Sequence, residues 1–189
     1  MIKKGFFKLL LLVGVLILFF QSGNILRAFF PLAYEEVITN YAQEYGVDEH
    51  LVMAVIKAES NFETDAVSHK TAKGLMQLMP DTANWIAGKL GLGSLSEEAL
   101  LTPEMNIGLG CYYLSYLEEI YDGDLTCVLA AYNAGHGNVD RWLLDPAYSA
   151  DQKTLTKIPY AETEQYVAKV KNYLRIYRML YPTEEEKTE

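Results

Sequence analysis

The chain has 189 residues, half of them hydrophobic, with 25 acidic against 16 basic groups and a formal net charge of −9. That length suits one globular domain able to bury roughly two thirds of its unfolded surface, and the apolar content excludes a disordered chain. Lys3, Lys4, Lys8 and Arg27 are the basic groups of the first 30 residues, which hold no acid, so the rest carries 12 basic against 25 acidic groups, a net of −13. A phosphate polyanion is repelled by such a surface, and nucleic acid is excluded as a partner.

The amino-terminal stretch MIKKGFFKLLLLVGVLILFFQSG places three lysines ahead of an unbroken apolar run from Leu9 to Phe20. A run of this length is short for a spanning helix, which takes about 17 to 25 residues, and fits the apolar region of an export signal. No small-x-small cleavage site follows, and Ile25, Leu26, Phe29 and Phe30 extend the apolar character. The reading is therefore a signal anchor or signal peptide over 1–30, with the uncleaved anchor preferred. Lysines ahead of the membrane place the remainder outside the cytoplasm. The division expected is a domain over 31–182 and an acidic tail over 183–189. No cysteine lies near the apolar run, which excludes a lipid-modified lipoprotein anchor.

Apolar spacing predicts helices near 33–45, 48–60, 81–90, 103–121, 125–133 and 161–180. Asp48 is a good N-cap, Pro103 and Pro159 sit near helix starts, and Gly46, Gly91, Gly123 and Gly135 sit near ends. The stretch 62–79 breaks the pattern, with turn formers followed by a short apolar run that suits a small strand or hairpin. There is no internal repeat. Cys111 and Cys127 are two buried thiols or a disulfide, with spacing deciding neither. His50, His69 and His136 belong to no metal-spaced motif and read as surface or loop residues, so neither metal nor cofactor is expected.

One position does not fit a plain core. In LVMAVIKAESNFE, residues 51–63, the stripe Leu51, Val52, Val55 and Ile56 leads in the same phase to Glu59. A carboxyl in the last turn, at the lip of a groove, loses water; its pKa climbs above about 4.3 and it becomes a general acid. The alternative is a frayed last turn with Glu59 in solvent. Glu63 and Asp65, which follow, read as solvated turn residues.

Four blocks in order carry a family resemblance. Ala58 to Pro80 contains AES, then AVS, then AKGLMQLMP; NIGLGCYYL begins at Asn106; AAYNAGHGNV runs from Ala130 to Val139; and IPYAETEQYVAKV runs from Ile158 to Val170. Together, over roughly residues 34–180, they resemble the catalytic domain of the soluble lytic transglycosylases. The resemblance implies a mainly α, lysozyme-like α+β fold with a long glycan groove and at most a small β-hairpin, acting on peptidoglycan glycan strands.

By the same resemblance Glu59 is the single catalytic acid, and Ser68, Gln77 and Met79 line one wall of the groove. Tyr132 and Asn133 face Glu59, and Glu162 with Tyr166 lines the opposite side, although Met79 and Tyr166 also suit plain core. The implied reaction cleaves the bond between N-acetylmuramic acid and N-acetylglucosamine without water, closing a 1,6-anhydro ring. Thr71 stands where the family often has glycine, so its backbone either avoids positive φ or carries strain. Two rivals remain: a hydrolytic muramidase similar to goose-type lysozyme, and a non-catalytic glycan-binding protein.

Overall fold

The computed structural model describes residues 24 to 183, so the apolar run Leu9 to Phe20 lies outside the described residues. From residue 35 onward the helices are α1 (Glu35–Tyr45), α2 (Glu49–Glu59), α3 (Pro80–Lys89), α4 (Pro103–Ile120), α5 (Leu125–Ala134), α6 (His136–Leu144) and α7 (Ala161–Leu180), with a 3-10 turn at Ala99–Leu101. Each expected helix is found to within about two residues at both ends, and α6 was not expected.

Helix α2 is the centre of the fold. Asp48 caps it by accepting from the His50 backbone N–H at 2.8 Å, which satisfies one of the donors a helix start leaves unpaired. Every residue from His50 to Ile56 is buried. A helix apolar on all sides must sit inside other helices, and α7, spanning about 30 Å by its 20 residues, lies antiparallel along it. Lys169 of α7 donates to the Ala58 carbonyl at 2.9 Å near one end, and Arg178 pairs with Asp48 at the other.

His50 corrects the expectation of a surface residue. It is buried, and its Nε2 lies 2.6 Å from the Tyr181 carbonyl, tying α2 to the end of α7. Cys111 on α4 and Cys127 on α5 are free buried thiols, which settles the open alternative against a disulfide. The chain before α1 also joins this packing. Residues 24–29 are helical, and Phe30 is buried with its ring 5.2 and 5.5 Å from those of Tyr173 and Tyr177.

The irregular stretch forms a small hairpin, with isolated antiparallel bridges Val67 to Lys73 and Lys73 to Leu78. Asn106 of α4, fully buried, holds it down. Its amide donates to the carbonyls of Lys73 at 2.9 Å and Leu100 at 2.7 Å and accepts from the Met76 N–H at 2.7 Å. Gly74 at φ 75° is required there, because a Cβ would strike Asn106 and the Leu100 carbonyl. Gly110 of α4 does the same for Met76, whose sulfur occupies the space a side chain would need.

Candidate active site

Glu59 is the last residue of α2 and lies partly buried in a cleft of about 810 Å³. The hairpin supplies Ser68, Gln77 and Met79 to this cleft, the end of α5 supplies Tyr132 and Asn133, and the start of α7 supplies Glu162 and Thr163. Seven of the eight residues singled out from sequence therefore meet at one place, although they are spread over more than 100 positions.

The electrostatics of Glu59 follow from that position. Burial pushes its carboxyl up from 4.5 to about 7, opposed by the Tyr166 hydroxyl and the Lys169 ammonium, both of which favour the ionised form. The frayed-turn alternative does not hold, since the Ser60 N–H closes the last turn on the Ile56 carbonyl at 3.0 Å. At neutral pH the group is thus divided between acid and carboxylate, the condition for giving a proton and then taking one.

Tyr166 departs from the expected place. It is buried, adds no wall to the cleft, and sits behind Glu59 with a hydroxyl that has no hydrogen-bond partner of good geometry. Glu59 is its charged neighbour, and burial followed by that charge holds the phenol well above its ordinary pKa. The period of α7 puts Tyr166 on the same inward stripe as Val170, Leu174 and Tyr177, all buried. Tyr132 likewise stays a phenol, raised by burial and then by Glu59. Its hydroxyl donates to the Met76 carbonyl at 2.8 Å, not to Glu59.

The polar side chains of the cleft are oriented by partners outside it. Gln77 spends both amide N–H groups on the carbonyls of Ala66 at 3.0 Å and Gly74 at 2.8 Å, leaving its oxygen as the acceptor. Ser68 Oγ accepts from the N–H groups of Lys70 at 3.2 Å and Ala72 at 3.0 Å, which leaves its own proton to donate. Thr163, missed in the sequence, donates to Asn133 Oδ1 at 2.8 Å and so presents the Asn133 NH₂. Met79 is 41 % exposed and is wall, not core. Glu162 stands at the rim, 79 % exposed and 3.9 Å from Lys70.

Backbone strain gathers on the same loops. Asn61, Phe62, Thr71 and Gln77 all have positive φ, at 54°, 68°, 68° and 48°. Thr71 therefore takes the strained alternative, at a cost of order 1 to 3 kcal/mol. Among the described residues no group of three or more His, Cys, Asp or Glu is placed to hold a metal.

A family model for the transglycosylase SLT domain matches residues 36–156, more than half of the chain. The chain belongs to that family. Among curated SLT relatives it is 35 % identical over 151 residues to the soluble lytic murein transglycosylase of Salmonella typhimurium, covering 79 % of this chain and 23 % of that one. It is 32 % identical over 173 residues to the membrane-bound lytic murein transglycosylase C of Edwardsiella ictaluri, covering 78 % of this chain and 47 % of that one. The 70-kDa soluble lytic transglycosylase of Escherichia coli superposes with a TM-score of 0.74 at 32 % identity, over 83 % of this chain and 26 % of that one. The chain thus spans about a quarter of the soluble relatives' length and about half of the membrane-bound one's. The mainly helical, lysozyme-like fold expected from the four blocks is the fold found.

Proposed function

We propose that this chain is a lytic transglycosylase acting on peptidoglycan, with Glu59 as its one acid and base. The observation that carries the reading is a single partly buried carboxyl, poised near neutrality, in a cleft whose inner polar groups are amides and hydroxyls, with the charged Lys70 and Glu162 and the imidazole of His69 exposed at its edge. Glycosidases that use two carboxyl groups set both at the scissile bond. Here the second, Glu162, is solvated at the rim and paired with Lys70.

The first step moves the Glu59 proton to the glycosidic oxygen between N-acetylmuramic acid and N-acetylglucosamine. The muramoyl C1–O bond breaks, N-acetylglucosamine leaves with a new hydroxyl, and the N-acetyl carbonyl of the muramoyl ring supports the cation at C1. The Glu59 carboxylate then takes the proton of that ring's own C6 hydroxyl as O6 bonds to C1. Glu59 is protonated again and no water is consumed. The oxygen of Gln77, the hydroxyl of Ser68 and the NH₂ of Asn133 hold the sugars; Tyr132 spends its proton on the Met76 carbonyl and so fixes the hairpin against α5, while Tyr166, kept as a phenol, acts as a donor. Tyr166 donates to the Glu59 carboxylate that forms midway.

Within residues 1–30 the apolar run Leu9 to Phe20 is proposed as an uncleaved signal anchor that holds the domain on the outer face of the cell membrane, with Arg27 and Phe30 packed on the domain itself and 183–189 as an acidic tail. Lysines followed by an apolar run support the anchor, and the membrane-bound relative accords with it. Among the described residues no helix is long and apolar enough to cross a membrane. Recovery of full-length chain in the membrane fraction is expected, and a shortened soluble form would refute the anchor. For the chemistry, clearing of a suspension of purified sacculi is expected to fall by about 10² to 10⁴ in Glu59→Gln, which keeps shape and loses the proton. Undiminished clearing would overturn the assignment.

A further inference from the structure

The segment that leads into the domain leaves one apolar face uncovered. Residues 24–29 are helical, and in NILRAFF, residues 24–30, Leu26 and Phe30 stand four apart and turn to the domain, where Phe30 is buried against Tyr173 and Tyr177. Two contacts fasten the segment to the end of α7. Arg27 donates to the Leu180 carbonyl at 3.4 Å with its guanidinium over the Tyr181 ring, and the Tyr181 hydroxyl donates to the Phe30 carbonyl at 2.7 Å. Ile25 and Phe29, also four apart, point away from the domain and are 50 % and 65 % exposed. Met179, next to Leu180 on the last turn of α7, is 64 % exposed. Single exposed apolar residues are ordinary, but three on two elements pinned to each other call for a cover.

The reach of the chain says what that cover is. The apolar run ends at Phe20, and four Cα–Cα steps lead from there to Asn24. Fully extended they span about 14 Å, so a run held in the bilayer keeps residues 24–29 at its surface. Charge agrees with this. Between Gln165 and Tyr181 the chain carries Lys169, Lys171, Arg175 and Arg178 and no acid, although its net charge is −9. By helical period Arg175 shares the solvent side of α7 with Met179, and both are exposed. A guanidinium there presents a planar fork of donors that matches a lipid phosphate.

We infer that the corner formed by residues 24–29 and the last turns of α7 docks on the lipid surface, with Ile25, Phe29 and Met179 entering the headgroup layer and Arg175 engaging phosphate. This rests on the anchor proposed above and goes beyond it. A tether alone leaves the domain free to turn, whereas a docked corner fixes the side that the cleft presents to the glycan. Glu162, at the rim of the cleft, precedes Met179 by 17 positions, about 25 Å along α7. Docking at one end of that helix therefore holds the cleft off the lipid.

The test uses full-length protein reconstituted in mixed phosphatidylcholine and phosphatidylglycerol vesicles that carry a nitroxide-labelled lipid. Cys111 and Cys127 are buried, so a thiol-reactive dye goes to a cysteine placed on the surface. A dye on Met179→Cys should be quenched by the nitroxide lipid, and one on Glu164→Cys, exposed at the other end of α7, should not. Ile25→Asp combined with Phe29→Asp should lower the docked-to-free ratio about a hundredfold, and Arg175→Gln should lower it about fivefold. Clearing of a sacculus suspension by these variants should stay at the parent level, which shows that they fold.

Equal quenching at both dye positions, or none at either in protein that resists an alkaline wash, would overturn the docking and leave the anchor standing. Protein stripped by the wash yet quenched at position 179 beforehand would sink the anchor and keep the docking, and protein both stripped and unquenched would sink the two together. A dye at position 179 that responds to protein density and ignores the nitroxide lipid would make the corner a contact between copies and overturn the inference.

Discussion

Holding Glu59 in the cleft should make the protein less stable as the pH rises, and Glu59→Gln should remove that penalty. In the unfolded chain the carboxyl titrates near 4.5, whereas in the fold it titrates at about 7. Between those values the unfolded state has given up its proton and the folded state still binds one. Stability tied to this group is therefore complete below about 4.5 and lost as the pH rises through 7. At 1.36 kcal/mol per pH unit the gap corresponds to about 3 kcal/mol, a sizeable part of the 5 to 15 kcal/mol that holds a typical domain together. The amide that replaces the carboxyl in the variant does not titrate. Urea unfolding of both proteins at pH 4, 6 and 8 should show the variant's advantage growing by about 3 kcal/mol across the series. A difference that stays flat with pH would refute the claim that burial sets this carboxyl apart, whatever the activity of either protein.

Asn106→Leu keeps the volume but strands the Met76 N–H and the Leu100 carbonyl in the interior, while the Lys73 carbonyl keeps the Leu78 N–H. At 1 to 3 kcal/mol for each of these two buried unpaired groups, a loss of about 2 to 6 kcal/mol is expected in denaturation, with lytic activity falling too because the hairpin carries Ser68 and Gln77. Lys169→Met removes a cation that favours ionised Glu59, so the fall of kcat/KM on the alkaline side should move to higher pH; an unmoved or lowered limb would contradict the role given to Lys169.

The sequence showed the site more clearly than the contacts that tune it. The apolar phase of Leu51, Val52, Val55 and Ile56 is a property of one helix, so Glu59 could be found by counting, and Asp48 named the start of that helix. The small hairpin was visible as a break in helical spacing. Helix α6 was missed because Gly135, at φ 86°, and Gly137 flank His136 and look like a joint, although Val139, Trp142 and Leu143 have helical spacing and are buried. Asn106, Thr163 and Lys169 act through partners 30 to 111 positions away, and nothing in their own neighbourhoods announces that. The same holds for Tyr166, whose place behind Glu59 is decided by how α7 lies on α2, and for His50, whose carbonyl partner is at the far end of the chain. Resemblance supplied Ser68, Gln77 and Asn133 as groove residues; which of their atoms remain free for a sugar became visible only with their hydrogen-bond partners in place.

The central claim is that the muramoyl C6 hydroxyl, and not water, closes the reaction under Glu59. Digestion of purified peptidoglycan in ¹⁸O-labelled water, followed by mass measurement of the released fragments, tests it most directly. The account predicts fragments lighter by one water than hydrolysis products and free of the label. Full-mass reducing ends carrying one labelled oxygen would contradict it and make the protein a hydrolase on the same fold.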